Sequence, residues 1–196
     1  MKSKLYIFGL LAMALSFYAC SDNGVSGEEE PGEEVSPFVG TWTLDPTAAS
    51  LAVGPAPGDY SWWQISADDV NTRSCLYDDT YVFNEDGSFE NNLGNQTWLE
   101  TWQGVEAEGC GAPVAPHDGT NAGTWVDENG SLIITGNGLY LGLAKVHNTG
   151  ENGDPANDTI EYEYAFSNNN STLEITISGW NADVPEATWY FRFAKQ

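Results

Sequence analysis

Polar and apolar residues alternate along most of this chain, and the alternation has a period of two. In the stretch Glu161–Phe166, Tyr162, Tyr164 and Phe166 alternate with Glu161 and Glu163. Leu173, Ile175 and Ile177 then alternate with Glu174 and Thr176. The C-terminal run sets Trp189, Phe191 and Phe193 against Tyr190 and Arg192. One apolar and one wet face per strand is the signature of an antiparallel sheet that packs on one side. Turn residues sit between the runs. Asn84-Glu-Asp-Gly87 separates Tyr81-Val-Phe83 from Ser88-Phe89, Asp127-Glu-Asn-Gly130 separates Thr124-Trp-Val126 from Leu132-Ile-Ile134, and Ser167-Asn-Asn-Asn170 joins two further strands. These are hairpin signals. No helical period persists beyond two turns; one short helix is predicted over Asp68–Cys75, with Ser66 as N-cap and Asp68 and Asp69 in its first turn. About eight or nine strands joined mainly by hairpins predict an all-β antiparallel meander rolled into a barrel, with a β-sandwich as the alternative.

The regular pattern breaks over residues 45–122, which reads as a long insertion in a single β domain spanning 38–196. It holds Cys75 and Cys110 and four of the eight tryptophans. Long irregular segments in a small domain usually carry function. Tyr60-Ser-Trp62-Trp63 follows a Gly-Pro-rich turn, and two adjacent indoles in a loop cannot both enter one core. In Trp98-Leu-Glu100-Thr-Trp102, a strand would place both indoles on one face with the carboxylate between them, and a helix would also align the two indoles. Such faces stack on the C–H surface of a sugar ring while neighbouring carboxylates bond its hydroxyls. The candidate ligand-binding residues are therefore Tyr60, Trp62, Trp63, Trp98, Glu100 and Trp102. The alternative is that these aromatics simply pack the loops.

Composition narrows the partners. The chain carries 29 carboxylates against six strong bases, a net charge of −23. That charge repels phosphate backbones, which excludes nucleic acid as a natural partner. A neutral polymer is the simplest one that remains. Residues 1–19 have a basic start (Lys2, Lys4) and an apolar run over Leu5–Tyr18, too short to span a bilayer but suited to a secretory signal. Residues 20–37 are acidic and poor in apolar side chains, the composition of a disordered tether. In an exported chain Cys75 and Cys110 are expected to pair, closing a loop of about 36 residues and contributing roughly 3–4 kcal/mol.

Catalytic patterns are missing. Nothing matches G-x-S-x-G or H-E-x-x-H, His117 and His147 lack triad or metal spacing, and nothing selects a hydrolytic pair from Asp68-Asp69, Asp78-Asp79 and Glu100. A non-enzymatic protein without metal or other cofactor is expected. The acidic loops leave a structural calcium open, although no D-x-[DN]-x-[DN]-G loop is present.

Three resemblances add to this reading. Ala19-Cys20 resembles the bacterial lipobox, which implies lipidation at Cys20, and the acidic run behind it resembles the signal that carries Bacteroidota lipoproteins to the outer leaflet of the outer membrane. Gly40-Thr-Trp42, with Arg192 on the last strand, looks like the lipocalin arrangement in which an arginine covers a tryptophan at the barrel floor. Finally, Tyr60-Ser-Trp-Trp63, Gln96-Thr-Trp-Leu-Glu-Thr-Trp-Gln-Gly104 and Cys110-Gly-Ala-Pro-Val-Ala-Pro-His-Asp-Gly119 resemble a Trp-rich module of marine Bacteroidota surface lipoproteins. That module also occurs attached to laminarinase-type glycoside hydrolases, near polysaccharide-utilisation genes. The resemblance implies a surface lipoprotein that captures a neutral polysaccharide, such as a β-glucan, for an outer-membrane importer complex. The alternatives are a lipocalin-like carrier of a small apolar ligand and an accessory importer subunit that binds nothing itself.

Overall fold

A computed structural model describes residues 35–148, 157–179 and 183–196. The expected signal peptide, Cys20 and nearly all of the tether lie outside these residues. Along the chain run β1 (Gly40–Leu44), β2 (Leu51–Gly54), β3 (Trp63–Gln64), α1 (Ala67–Thr72), α2 (Ser74–Tyr77), β4 (Thr80–Phe83), β5 (Ser88–Asn92) and β6 (Thr97–Leu99). After a 3₁₀ turn at Thr101–Gln103 come β7 (Gly109–Gly111), β8 (Gly123–Glu128), β9 (Ser131–Thr135), α3 (Lys145–Asn148), β10 (Thr159–Ser167), β11 (Thr172–Ser178) and β12 (Thr188–Lys195). No helix among the described residues is long and apolar enough to cross a membrane.

Strands β1, β4, β5, β8, β9, β10, β11 and β12 pair in that order, every pair antiparallel, and β12 returns to β1. The ring closes: this is an eight-stranded up-and-down barrel in which every ring strand has a partner on both sides. One edge of β12 serves two partners. Its end, Phe193–Lys195, pairs with β1, and its start, Thr188–Phe191, pairs with β2. Between them the chain bulges at Asp45–Ser50, held where Arg192 Nε donates to Asp45 Oδ2 at 2.7 Å.

That bond corrects one expectation. Arg192 does not cover Trp42; Lys195 does, with Nζ 5.2 Å from the indole centroid. The register explains it. Trp42 lies directly opposite Lys195, and the two-residue period that turns Phe191 and Phe193 inward turns Arg192 outward.

The interior is filled. Trp42, Leu44, Tyr81, Phe89, Tyr162, Leu173, Ile175, Phe191 and Phe193 all have 0% exposure. A ligand-sized void among them would leave its walls accessible, so these layers form a packed core.

The ends of the barrel differ. At one end three tight hairpins join β4–β5, β8–β9 and β10–β11. The β8–β9 turn has Asn129 and Gly130 at φ +56° and +85°, as a type I′ turn requires. Phe38 closes this end from inside, its ring 4.7 Å from Tyr164 and 4.8 Å from Phe166. The four long connections, from Leu44 to Thr80, Asn92 to Gly123, Thr135 to Thr159 and Ser178 to Thr188, join strand ends at the other end. The third sends Leu139–Val146 across the opening, mostly buried. Asn91 clasps the backbone of Tyr140 on both sides (2.8 and 3.1 Å), and Tyr162 Oη accepts from Leu141 N. Gly142, at φ +77°, leaves no room for a Cβ, which would lie 2.2 Å from the Phe191 ring. Glycine there lets the plug seat.

Residues 45–122 are not one continuous insertion, because β2, β4 and β5 lie within them. The elaboration comes in two pieces, 45–79 and 93–122, and the Cys75–Cys110 disulfide ties them together with Cα atoms 5.9 Å apart. The predicted helix is likewise two, broken at Arg73. Ser66 caps α1 by accepting from Asp69 N at 3.1 Å, and α2 turns to bury Cys75 and Leu76.

Candidate functional site

The aromatic residues singled out in the sequence all sit at the long-connection end. Tyr60 packs on Tyr190 with ring centroids 4.7 Å apart. Trp62 and Trp63 straddle the start of β3, so alternation sends them opposite ways. Trp62 faces solvent at 48% exposure, while Trp63 turns towards Trp189, centroids 6.2 Å apart.

The second cluster departs from expectation. β6 stops at Leu99, and the 3₁₀ turn that follows carries Trp102 away from the strand. Glu100 opens the turn, its N–H donating to Gln103 Oε1 at 3.0 Å. Trp98, Glu100 and Trp102 therefore do not share one displayed face. Glu100 is buried and engaged: Lys145 Nζ lies 2.8 Å from Oε1, and Trp102 Nε1 donates to Oε2 at 2.9 Å. It holds the loops together and has little left to offer a sugar.

Cations hold the indoles in place. The Arg73 guanidinium is centred 4.4 Å from the Trp98 ring and 5.7 Å from Trp63, with Glu108 4.0 Å from Nη2. Trp63 and Trp98 are thus joined through a cation and do not form a flat platform. Lys145 lies 5.5 Å from Trp189 while pairing with Glu100. Neither base was singled out from the sequence. The available signal was scarcity: two of the few bases in a very acidic chain both stand among aromatics.

Beneath the rim lies a buried polar layer. Asp79 is fully buried, and burial pushes its carboxyl up to about 8, although Thr97 Oγ1 donates to Oδ2 at 2.6 Å. His117, 4% exposed, is driven down to about 4 by burial, against a smaller upward pull from Asp118. Its ring meets Trp102 at 5.5 Å and Tyr140 at 6.0 Å, both edge-on. Asp79 Oδ1, His117 Nε2 and Trp98 Nε1 are buried with no hydrogen-bond partner among the described residues. Buried atoms of this kind ordinarily find one. Among the described residues no three His, Cys, Asp or Glu side chains gather as a metal site.

No family model matches the chain, and no curated protein matches it. Among solved structures it is similar to a lipocalin-like protein from Bacteroides uniformis, at 13% identity and a TM-score of 0.38, covering 82% of this chain and 100% of the other. The barrel is established by the strand pairing itself.

Proposed function

We propose that the protein is a non-catalytic glycan-binding lipoprotein of the outer-membrane surface. In this reading it captures a neutral polysaccharide such as a β-glucan and passes it to an uptake complex. The observation that carries this is the segregation of aromatics: Tyr60, Trp62, Trp63, Trp98 and Trp102, all at least partly exposed, ring the long-connection end of a barrel whose interior is filled. Exposed indoles beside polar side chains are a recognition surface. A carrier would need the interior volume that the core rings occupy. The roles within the rim are unequal. Trp62 is the stacking surface, Tyr60, Trp63, Trp98 and Trp102 shape it, and Glu100 fixes the loops that carry it. Lipidation at Cys20 would keep the protein at the cell surface, where long polymers reach it.

Affinity electrophoresis of the protein in gels containing laminarin, mixed-linkage glucan, xylan or alginate tests the reading. Retardation is expected with at least one neutral glycan and not with alginate, whose carboxylates meet a like-charged surface. Migration unchanged in every gel would overturn it. A hydrophobic dye that alters tryptophan fluorescence where no glycan does would favour the carrier instead.

A further inference from the structure

Strands β6 and β7 form a two-stranded ribbon outside the barrel ring, with Trp98 directly opposite Cys110. Opposed residues of an antiparallel pair point to the same face, and alternation along β6 buries Thr97 and Leu99 on the other. Gln96, Trp98 and Cys110 therefore share the ribbon's outer face. The disulfide to Cys75 draws α2 against that face. Between them a cleft of about 300 Å³ opens around the disulfide, walled by Ser74, Asp78, Asn95 and Gln96.

We propose that this cleft is a subsite for one pyranose ring of a neutral glycan, an inference that rests on the glycan-binding reading above. Its volume is at the small end of ligand pockets, which run about 300–1,000 Å³. The wall chemistry selects the ligand. The carboxamides of Asn95 and Gln96 and the hydroxyl of Ser74 each donate and accept, whereas the carboxylate oxygens of Asp78 accept. Adjacent ring hydroxyls, which also donate and accept, satisfy such a set. An apolar ligand would strand it without partners, and a uronate or phosphate would face the Asp78 charge. The walls are also held in place, by the disulfide on one side and the ribbon pairing on the other. Arg73, next to Ser74 in the chain, lies against Trp98, so the cleft wall and one rim indole meet through a single side chain.

The test is isothermal titration of the intact protein with laminarin, mixed-linkage glucan and xylan, comparing wild type with Asn95→Ala/Gln96→Ala and with Trp62→Ala. Both cleft residues are exposed, and the double variant should keep the wild-type melting temperature. It is expected to bind about tenfold more weakly. Binding within twofold of wild type would overturn the cleft while leaving the rim intact, most plainly if Trp62→Ala loses binding. No binding by wild type to any of the three would overturn the glycan reading and the cleft with it. On unsubstituted protein, the side-chain amide resonances of Asn95 and Gln96 should shift as laminarihexaose is added, while those of Asn169 in the hairpin turn stay fixed. Unmoved Asn95 and Gln96 resonances at saturation would also overturn the cleft.

Discussion

The two ends of this barrel satisfy their buried groups in opposite ways. At the hairpin end the indole N–H groups of Trp42 and Trp125 donate to the carbonyls of Phe38 and Asn84, at 2.7 and 3.0 Å, and Lys195 Nζ donates to Pro37 O. Turns are short, and an aromatic plug completes the core. At the other end the loops are long and bury an ion pair, a carboxyl raised by burial, an imidazole lowered by it, and polar atoms without partners among the described residues. One end is built for packing alone. The other carries polar cost that packing does not need, and such cost tends to concentrate where a protein binds.

The largest effect should come from removing the plug at the packed end. Phe38→Ala deletes a ring with 0% exposure and four aromatic neighbours, and about 3–5 kcal/mol of stability should be lost. Denaturant unfolding measures it. Glycan affinity below the unfolding transition should not change, and a loss of affinity would break the division of labour. At the opposite end Lys145→Ala leaves Glu100 buried without its cation, a change costing about 3–5 kcal/mol in comparable sites. Here affinity should fall as well, since the same pair positions Trp102 and Trp189. Lys145→Met/Glu100→Gln should recover most of the stability.

A smaller effect depends on pH. Asp79 keeps its proton in the folded protein up to about 8, whereas in the unfolded chain it releases it near the ordinary value of 3.8. Its contribution is therefore whole below pH 4 and is lost as pH rises to about 8. His117 works in reverse: folded near 4 and unfolded near 6.5, it costs stability only as pH falls through that range. The two slopes oppose one another between pH 4 and 6.5, and Asp79 acts alone above that. Wild type should lose about 2 kcal/mol from pH 6.5 to 8, at 1.36 kcal/mol per unit. Asp79→Asn should flatten this limb in urea titrations, and an unchanged slope would contradict the assignment.

The smallest stability effect is expected at the residue proposed to stack on the glycan. Trp62→Ala, at a half-exposed position, should change unfolding free energy by no more than about 0.5 kcal/mol. Glycan retardation should nevertheless be lost. Retention of binding would remove Trp62 from the site.

Much of the barrel was legible because its strands obey a local rule. Period-two alternation and the Asn-Gly turn locate β8–β12 within a residue or two, since each strand has one packed face. Strand β2 was hidden: Leu51–Gly54 is short and flanked by turn residues, and it becomes a strand only because β12 offers an open edge. The site was legible in composition and not in arrangement. Trp62 pointing outward follows from its neighbour pointing in. The contacts Arg73 to Trp98 and Lys145 to Glu100 join separate connections, and no spacing encodes them. Glu100 leaving the strand had a signal, Gln103 three residues on, which forms a capping box with it. Asp79 was visible as half of a doublet, but its burial depends on how α2 docks.

In the proposed reading polysaccharide is held at the long-connection end, and hydrogen exchange of the intact protein, with and without saturating laminarin, locates the contact. Slowed exchange is expected in peptides covering 59–64 and 94–103, with none in the hairpins at 84–88 and 167–172. Protection at the hairpins, or none at the long-connection end when binding is saturated, would contradict it.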